Sequence, residues 1–119
     1  NVLIGTTEPH DLTSGGTARL SVKGGIVCKE VEVTIDDWAD FVFDKDYTLL
    51  PLNEVEDFIQ RNKHLPDVPS EEEVLEKGVN LGNMDAVLLQ KIEELTLYTI
   101  EQQKLIEEMQ KEINNLKNE

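Results

Sequence analysis

The 119-residue sequence is short of positive charge: 11 Lys and Arg stand against 25 Asp and Glu, a formal net charge of −14. No basic stripe occurs anywhere, so nothing can release counterions from a nucleic-acid backbone, and an anionic membrane surface is excluded on the same grounds. Long apolar runs are missing too. The longest, such as Val87-Leu88-Leu89, fall far below the roughly 18 residues of a membrane-spanning helix, and no membrane insertion is expected. The single cysteine, Cys28, cannot pair within the chain, which excludes a disulfide framework and leaves the redox compartment open. His10 and His64 are the only histidines, and neither has a Cys, His or carboxylate at the spacing of a zinc site. The chain opens on Asn1 in mid-pattern, without a methionine or basic leader, and reads as a piece of a longer protein. Aromatics are scarce as well, with three Phe, two Tyr and one Trp. Because the last third is a polar helix, roughly 80 residues remain to build a core, too few for a robust monomer, and association is expected.

What is present divides into three parts: a β shaft-like segment over 1–35, a small mixed α/β domain over 36–83, and a C-terminal coiled-coil helix over 84–119. The first part is punctuated by glycine. Leu20 and Val22 alternate with Arg19, Ser21 and Lys23, and Ile26, Cys28, Val31, Val33 and Ile35 follow Gly24-Gly25. A hairpin with a Lys23-Gly24-Gly25 loop sets Val22 against Ile26 and Leu20 against Cys28, giving one apolar face. The parity changes between Cys28 and Val31, which calls for a bulge or a switch of buried face near Lys29-Glu30.

Residues 36–50 interleave Trp38, Phe41, Phe43 and Tyr47 with five aspartates, and these aromatics are the expected packing hub of the small domain. From Leu52, apolar positions Val55, Phe58 and Ile59 predict an amphipathic helix of about three turns, with Glu54, Glu56 and Asp57 near its positive end. It should stop before His64-Leu65-Pro66, since Pro66 restricts the residue ahead of it. Ser70 with Glu73 forms a capping box, and Gly78 is the expected αL terminator of the short helix that begins there.

From Met84 to Lys117 there is neither Gly nor Pro, and apolar residues recur in steps of four and three. With Ile92, Thr99, Ile106 and Ile113 at a, the d positions are Leu88, Leu95, Gln102, Met109 and Leu116. This is a heptad seam with a polar interruption at Thr99 and Gln102, of the kind that fixes register or oligomer state. Met84, Tyr98 and Leu105 at g and Leu89 at e widen the apolar face beyond a two-stranded seam. Either a third helix or the preceding domain must cover that width.

Little catalytic chemistry is visible. Asp44-x-Asp46-x-Thr48 opens like a calcium loop, but Leu49 replaces the required glycine and Val55 the bidentate acid. The cluster Asp36, Asp37, Asp40, Asp44 and Asp46 reads as a solvated acidic face. Ser14-Gly15-Gly16-Thr17 lacks the lysine of a phosphate loop and reads as a turn. Ser14, Ser21, Ser70 and Cys28 have no histidine beside them in sequence, and Ser70 is committed to a cap. No catalytic residue, cofactor or metal ligand is assigned, and the chain is read as a non-enzyme.

The whole pattern resembles a known kind of protein. Asn1-Val2-Leu3-Ile4-Gly5-Thr6-Thr7-Glu8-Pro9 followed by Leu20-Ser21-Val22-Lys23-Gly24 resembles the repeat that precedes the C-terminal module of phage tail fibres and fibre-like surface proteins. Trp38 to Phe43, Glu54 to Ile59, His64 to Ser70, Asn80 to Met84 and Leu88 to Tyr98 resemble the C-terminal region of such proteins from Bacteroidetes and their phages. In layout the chain is similar to the endosialidase-type intramolecular chaperone, with a β shaft, a small mixed domain and a terminal coiled coil. The resemblance implies an α+β homotrimer with a parallel coiled coil, in a virion tail fibre or at the cell surface, whose task is trimerisation and folding of the upstream shaft. Leu88, Ile92, Leu95, Thr99, Gln102, Ile106, Met109, Ile113 and Leu116 would be its oligomerisation residues. Chaperones of that type often release themselves with a Ser and a Lys at the start of the module. Thr34-Ile35-Asp36-Asp37-Trp38-Ala39-Asp40 has neither, so the self-cleaving alternative loses its residues. The other alternative is a receptor- or glycan-binding tip, which needs Trp38, Phe41 and Tyr47 exposed, whereas large aromatics are mostly buried.

Overall fold

Among the described residues the only ladder joins two three-residue runs, Val-Leu-Ile and Leu-Ser-Val. A computed structural model of the chain describes residues 1–36, 38 and 40–118, so Asp37, Ala39 and Glu119, and with them one member of the aspartate cluster, lie outside the described residues. Strands β1 (Val2–Ile4) and β2 (Leu20–Val22) pair in parallel, Val2 opposite Leu20 and Ile4 opposite Val22. The Val2 amide donates to the Arg19 carbonyl at 2.6 Å and the Lys23 amide to that of Ile4 at 2.8 Å. A parallel pair needs a crossover of a dozen or more residues. The loop from Gly5 to Arg19 supplies it, folded on itself by an Asp11–Thr17 bridge and a turn in which Leu12 donates to Gly16 at 2.8 Å. Ser21 is the one buried polar residue among those described, and its Oγ accepts the His10 amide at 3.2 Å.

This corrects the expected hairpin. Ile26, Val27 and Cys28 form no strand and are exposed, Val27 fully so. Alternation fixes which side a residue takes but not which strand it joins, and the edge of β2 goes to β1. Val31, Val33 and Ile35 are extended without a ladder, so no bulge exists at Lys29-Glu30. Val33 and Ile35 pack instead against the start of the long helix, where Gly82 is buried.

Helix α1 (Leu52–Asn62) forms where the apolar spacing places it. It stops before His64-Leu65-Pro66, as expected, and its cap is Lys63, which takes αL geometry (φ 62°, ψ 20°) and donates its amide to Ile59 at 2.8 Å. Helix α2 (Glu71–Lys77) carries the expected cap: Ser70 Oγ accepts the Glu73 amide at 3.2 Å. Gly78 ends it, although at φ 76° and ψ −172° it is not the αL terminator expected. That extended, positive-φ region is open essentially to glycine alone. Helix α3 (Leu81–Lys117) starts three residues earlier than Met84, capped by Asn80 Oδ1 accepting from the Asn83 amide at 3.1 Å. Its 37 residues make a rod of about 55 Å.

The chain is elongated, 79 × 31 × 29 Å, with a radius of gyration of 21.5 Å where a compact chain of this length would have about 13.5 Å. Among the described residues no two helices approach backbone to backbone, and Val42 is the only fully buried apolar side chain. The architecture is α+β: one short strand pair, three helices and almost no core of its own.

Candidate functional site

The segment before α1 is fastened along α3 by two tyrosines. Residues 41–47 run through two turns, with Asp44 donating to the Phe41 carbonyl and Tyr47 to that of Asp44, both at 3.1 Å. The turns tuck Val42 inside and bring the Tyr47 ring to 5.7 Å from that of Phe41. The Tyr47 hydroxyl donates to Glu94 Oε1, and one helical turn on, the Tyr98 hydroxyl donates to the Leu50 carbonyl at 2.6 Å. Glu94 also accepts from Gln90 Nε2 at 3.2 Å and from Lys91 Nζ at 3.1 Å, and Lys91 lies 3.6 Å from Asp67.

Burial and the bond to the Glu94 carboxylate push the Tyr47 phenol from 10.0 up to about 12. Burial and the charges of Glu94 and Glu101 raise that of Tyr98. For Glu94 itself burial works upward, but the hydrogen bonds from Tyr47, Lys91 and Gln90 outweigh it and hold the carboxyl below its usual 4.5. A depressed carboxyl stabilises the folded chain above its unfolded pKa and stops doing so as pH falls through the folded one. A raised phenol contributes below pH 10 and is lost as pH climbs toward about 12. The fastening should therefore hold over neutral pH and loosen only in acid below the usual glutamate range or in strong alkali. Tyrosinate absorbance should show both tyrosines ionising late, and Tyr47→Phe should remove the later of the two transitions. Two ordinary tyrosine titrations would contradict the fastening.

Between this segment and α3 lies a groove of about 880 Å³. Leu88, Ile92 and Leu95 form its helical wall; Phe41, Leu50, Leu52, Val55 and Leu65 form the outer one. The helical wall is the first half of the heptad stripe. Along the whole of α3 the apolar a and d residues stand open, from Ile113 at 46% to Leu116 at 68%, and Thr99 and Gln102 are exposed with them. The Thr99 hydroxyl bonds back to the Leu95 carbonyl at 2.9 Å. All nine positions expected to carry oligomerisation thus lie exposed on one helix.

The flanks divide differently. Met84, Leu89 and Tyr98 are half-buried, Tyr98 by its own chain's residue 50, whereas Leu105 is open at 56%. Of the two covers that the spacing left open, a third helix or the preceding domain, the preceding domain takes up part of the width.

The expected aromatic hub is corrected. Trp38 is 53% exposed, Phe41 and Phe43 are also exposed, and only Tyr47 is half-buried. Two short helices and loops strung along the α3 rod enclose no space that could bury four large rings. The two tyrosine hydroxyl bonds escaped the sequence reading, because they join residues nearly fifty apart.

The other candidates are placed in ordinary roles. His64 Nδ1 bonds the Leu65 carbonyl at 2.8 Å and its ring meets Phe58 edge-on, Ser70 is a cap, Ser21 accepts an amide, and Cys28 is an exposed free thiol. Among the described residues no group of three or more His, Cys, Asp or Glu could hold a metal, and no helix is long and apolar enough to cross a membrane. No family model, curated protein or solved structure matches the chain.

Proposed function

We propose that the chain is a non-enzymatic association module in which α3 joins copies in a parallel homotrimer, and that it serves as the folding and registration unit at the C-terminus of a phage tail fibre or fibre-like surface protein. The carrying observation is surface. The chain exposes 10343 Å², against about 6,500 Å² for a compact monomer of its mass. The excess, roughly 3,800 Å² per chain, is more than the roughly 1,000–2,500 Å² that each partner gives to an obligate interface, and the open heptad stripe of α3 is a large apolar part of it. Light scattering with sedimentation should give close to three times 13.5 kDa, and the thermal midpoint should rise with protein concentration, as it does when only the folded state associates. A monomer at micromolar concentration would sink the reading. A dimer would keep the coiled coil and remove the fibre analogy.

Of the three residues that a receptor- or glycan-binding tip needs open, Trp38 and Phe41 are exposed and Tyr47 is half-buried, and the exposed pair favours this second reading. Trp38 is the only tryptophan, so its fluorescence separates the two. A blue shift that tracks association places the ring in the interface. A ring still wet in the assembled state leaves it free for a ligand.

A further inference from the structure

The groove between the 41–55 segment and α3 has a helical wall that belongs to the same stripe as the open distal half of the helix. Ile92 and Ile113 occupy the same heptad position three repeats apart, and nothing interrupts α3 between them. A helix laid in register along Ile106, Met109, Ile113 and Leu116 therefore continues past Leu95 and Ile92 into the groove.

We infer that the occupant of this groove is the α3 helix of a second copy of the chain, so that the outer wall of one subunit clasps the helix of its neighbour. The inference rests on the association reading above and adds where the neighbour lies. Charge placement argues for a copy over a basic partner. From Leu88 to Lys117 the acids of α3 sit at the outward b and c positions, Glu93, Glu94, Glu101, Glu107 and Glu108, with Glu112 alone at a flank. Asp85, at position a one turn before Leu88, is the single acid on the stripe itself; from Leu88 onward copies of a chain of net charge −14 can approach along the seam without facing carboxylates, and a basic partner would find almost none to pair with. The one flanking acid has a match only in a parallel copy: Glu112 at g faces Lys117 at e of the neighbouring helix, five residues on. The groove also ends where a helix can enter, since its three charged lining groups are already engaged, Glu94 with Tyr47 and Lys91, and Lys91 with Asp67, which leaves the apolar side chains facing the opening.

Two single-cysteine chains in a Cys28→Ser background test this: Ile113→Cys in the distal stripe and Ile92→Cys in the groove, each treated with a short thiol cross-linker. Both should give covalently joined copies to similar extents, because both positions have the same heptad geometry. Joining through Ile113→Cys but not Ile92→Cys would overturn the groove assignment and leave the association reading standing. Failure of both would overturn the two together. Leu52→Glu adds a readout from the outer wall. Leu52 is the first residue of α1, where a carboxylate suits the helix dipole, so the isolated chain should keep its helicity while association weakens about tenfold or more, a buried charge being the cost. Unchanged association in Leu52→Glu would show that the outer wall does not touch the neighbour.

Discussion

A chain ending at residue 100, or the full chain carrying Ile106→Asp, should sediment as a monomer and melt at a midpoint independent of concentration. The truncation removes Ile106, Met109, Ile113 and Leu116, four side chains that stand open on the distal half of α3. Full burial of side chains of this size contributes about 1.5–3 kcal/mol each, so the four supply at most roughly 6–12 kcal/mol per chain. Bringing chains together costs about 4–15 kcal/mol in lost translational and rotational freedom. The two ranges overlap, so in the proposed assembly loss of the distal half is large enough to abolish association. Ile106→Asp acts in the same direction with a single change, by setting like carboxylates at one layer of an apolar axis where they repel and are poorly solvated. Residues 1–35 should lose order along with association, since the β1–β2 pair buries no apolar side chain of its own. Circular dichroism and sedimentation read both effects. Assembly that survives in both variants would have to reside in the β segment or the aromatic stretch.

The second large effect is expected at Gly82, where replacement by alanine should destabilise the chain by roughly 1–2 kcal/mol although alanine is the better helix former. A β-carbon there would stand 2.5 Å from Ile35 Cγ2 and 3.0 Å from Val33 Cγ1. The methyl it meets is attached directly to a β-branched carbon and cannot swing aside, so the 33–35 segment itself must move off the helix. The gain in helix propensity is at most about 1 kcal/mol, while overpacking of this kind typically costs about 1–3 kcal/mol. Pairing Gly82→Ala with Ile35→Ala should recover part of the loss, and a thermal-denaturation double-mutant cycle measures that coupling. Strictly additive losses would mean that the segment does not rest on the helix.

Local signals were readable and distant ones were not. The α1 spacing, the Ser70–Glu73 cap and the long uninterrupted helix each depend on residues within one or two turns of one another, and all three stand in the structure. The stripe on α3 was legible for the same reason: its period is a property of one helix. The partner of β2 was not, because Leu20–Val22 offers the same alternation to Ile26–Cys28 as to Val2–Ile4, and only the eighteen-residue offset of the register tells them apart. Gly82 was given no role by the spacing, yet it is the place where residues 33 and 35 touch the helix. Lys63 carries no signal for αL geometry; the chain simply turns there. Trp38 and Phe43 were misplaced because aromatic content was read as core, in a chain whose shape encloses almost none.

The projecting end of α3 also sets a clock. Beyond Ile100 every described side chain is exposed, so that half of the helix has only its own backbone and weak neighbours such as Gln103–Glu107 to hold it. Such a stretch coils and re-forms in about 0.1–1 μs. Two chains at about 1 μM, colliding productively at 10⁵–10⁷ M⁻¹ s⁻¹, wait on the order of 0.1–10 s for one another. The distal helix therefore melts and rewinds some 10⁵ times or more before it meets a neighbour. Its proximal half is meanwhile held by Tyr47 and Tyr98, so in the proposed assembly each encounter would begin from a fixed root and a free tip, and pairing would close from the domain outward.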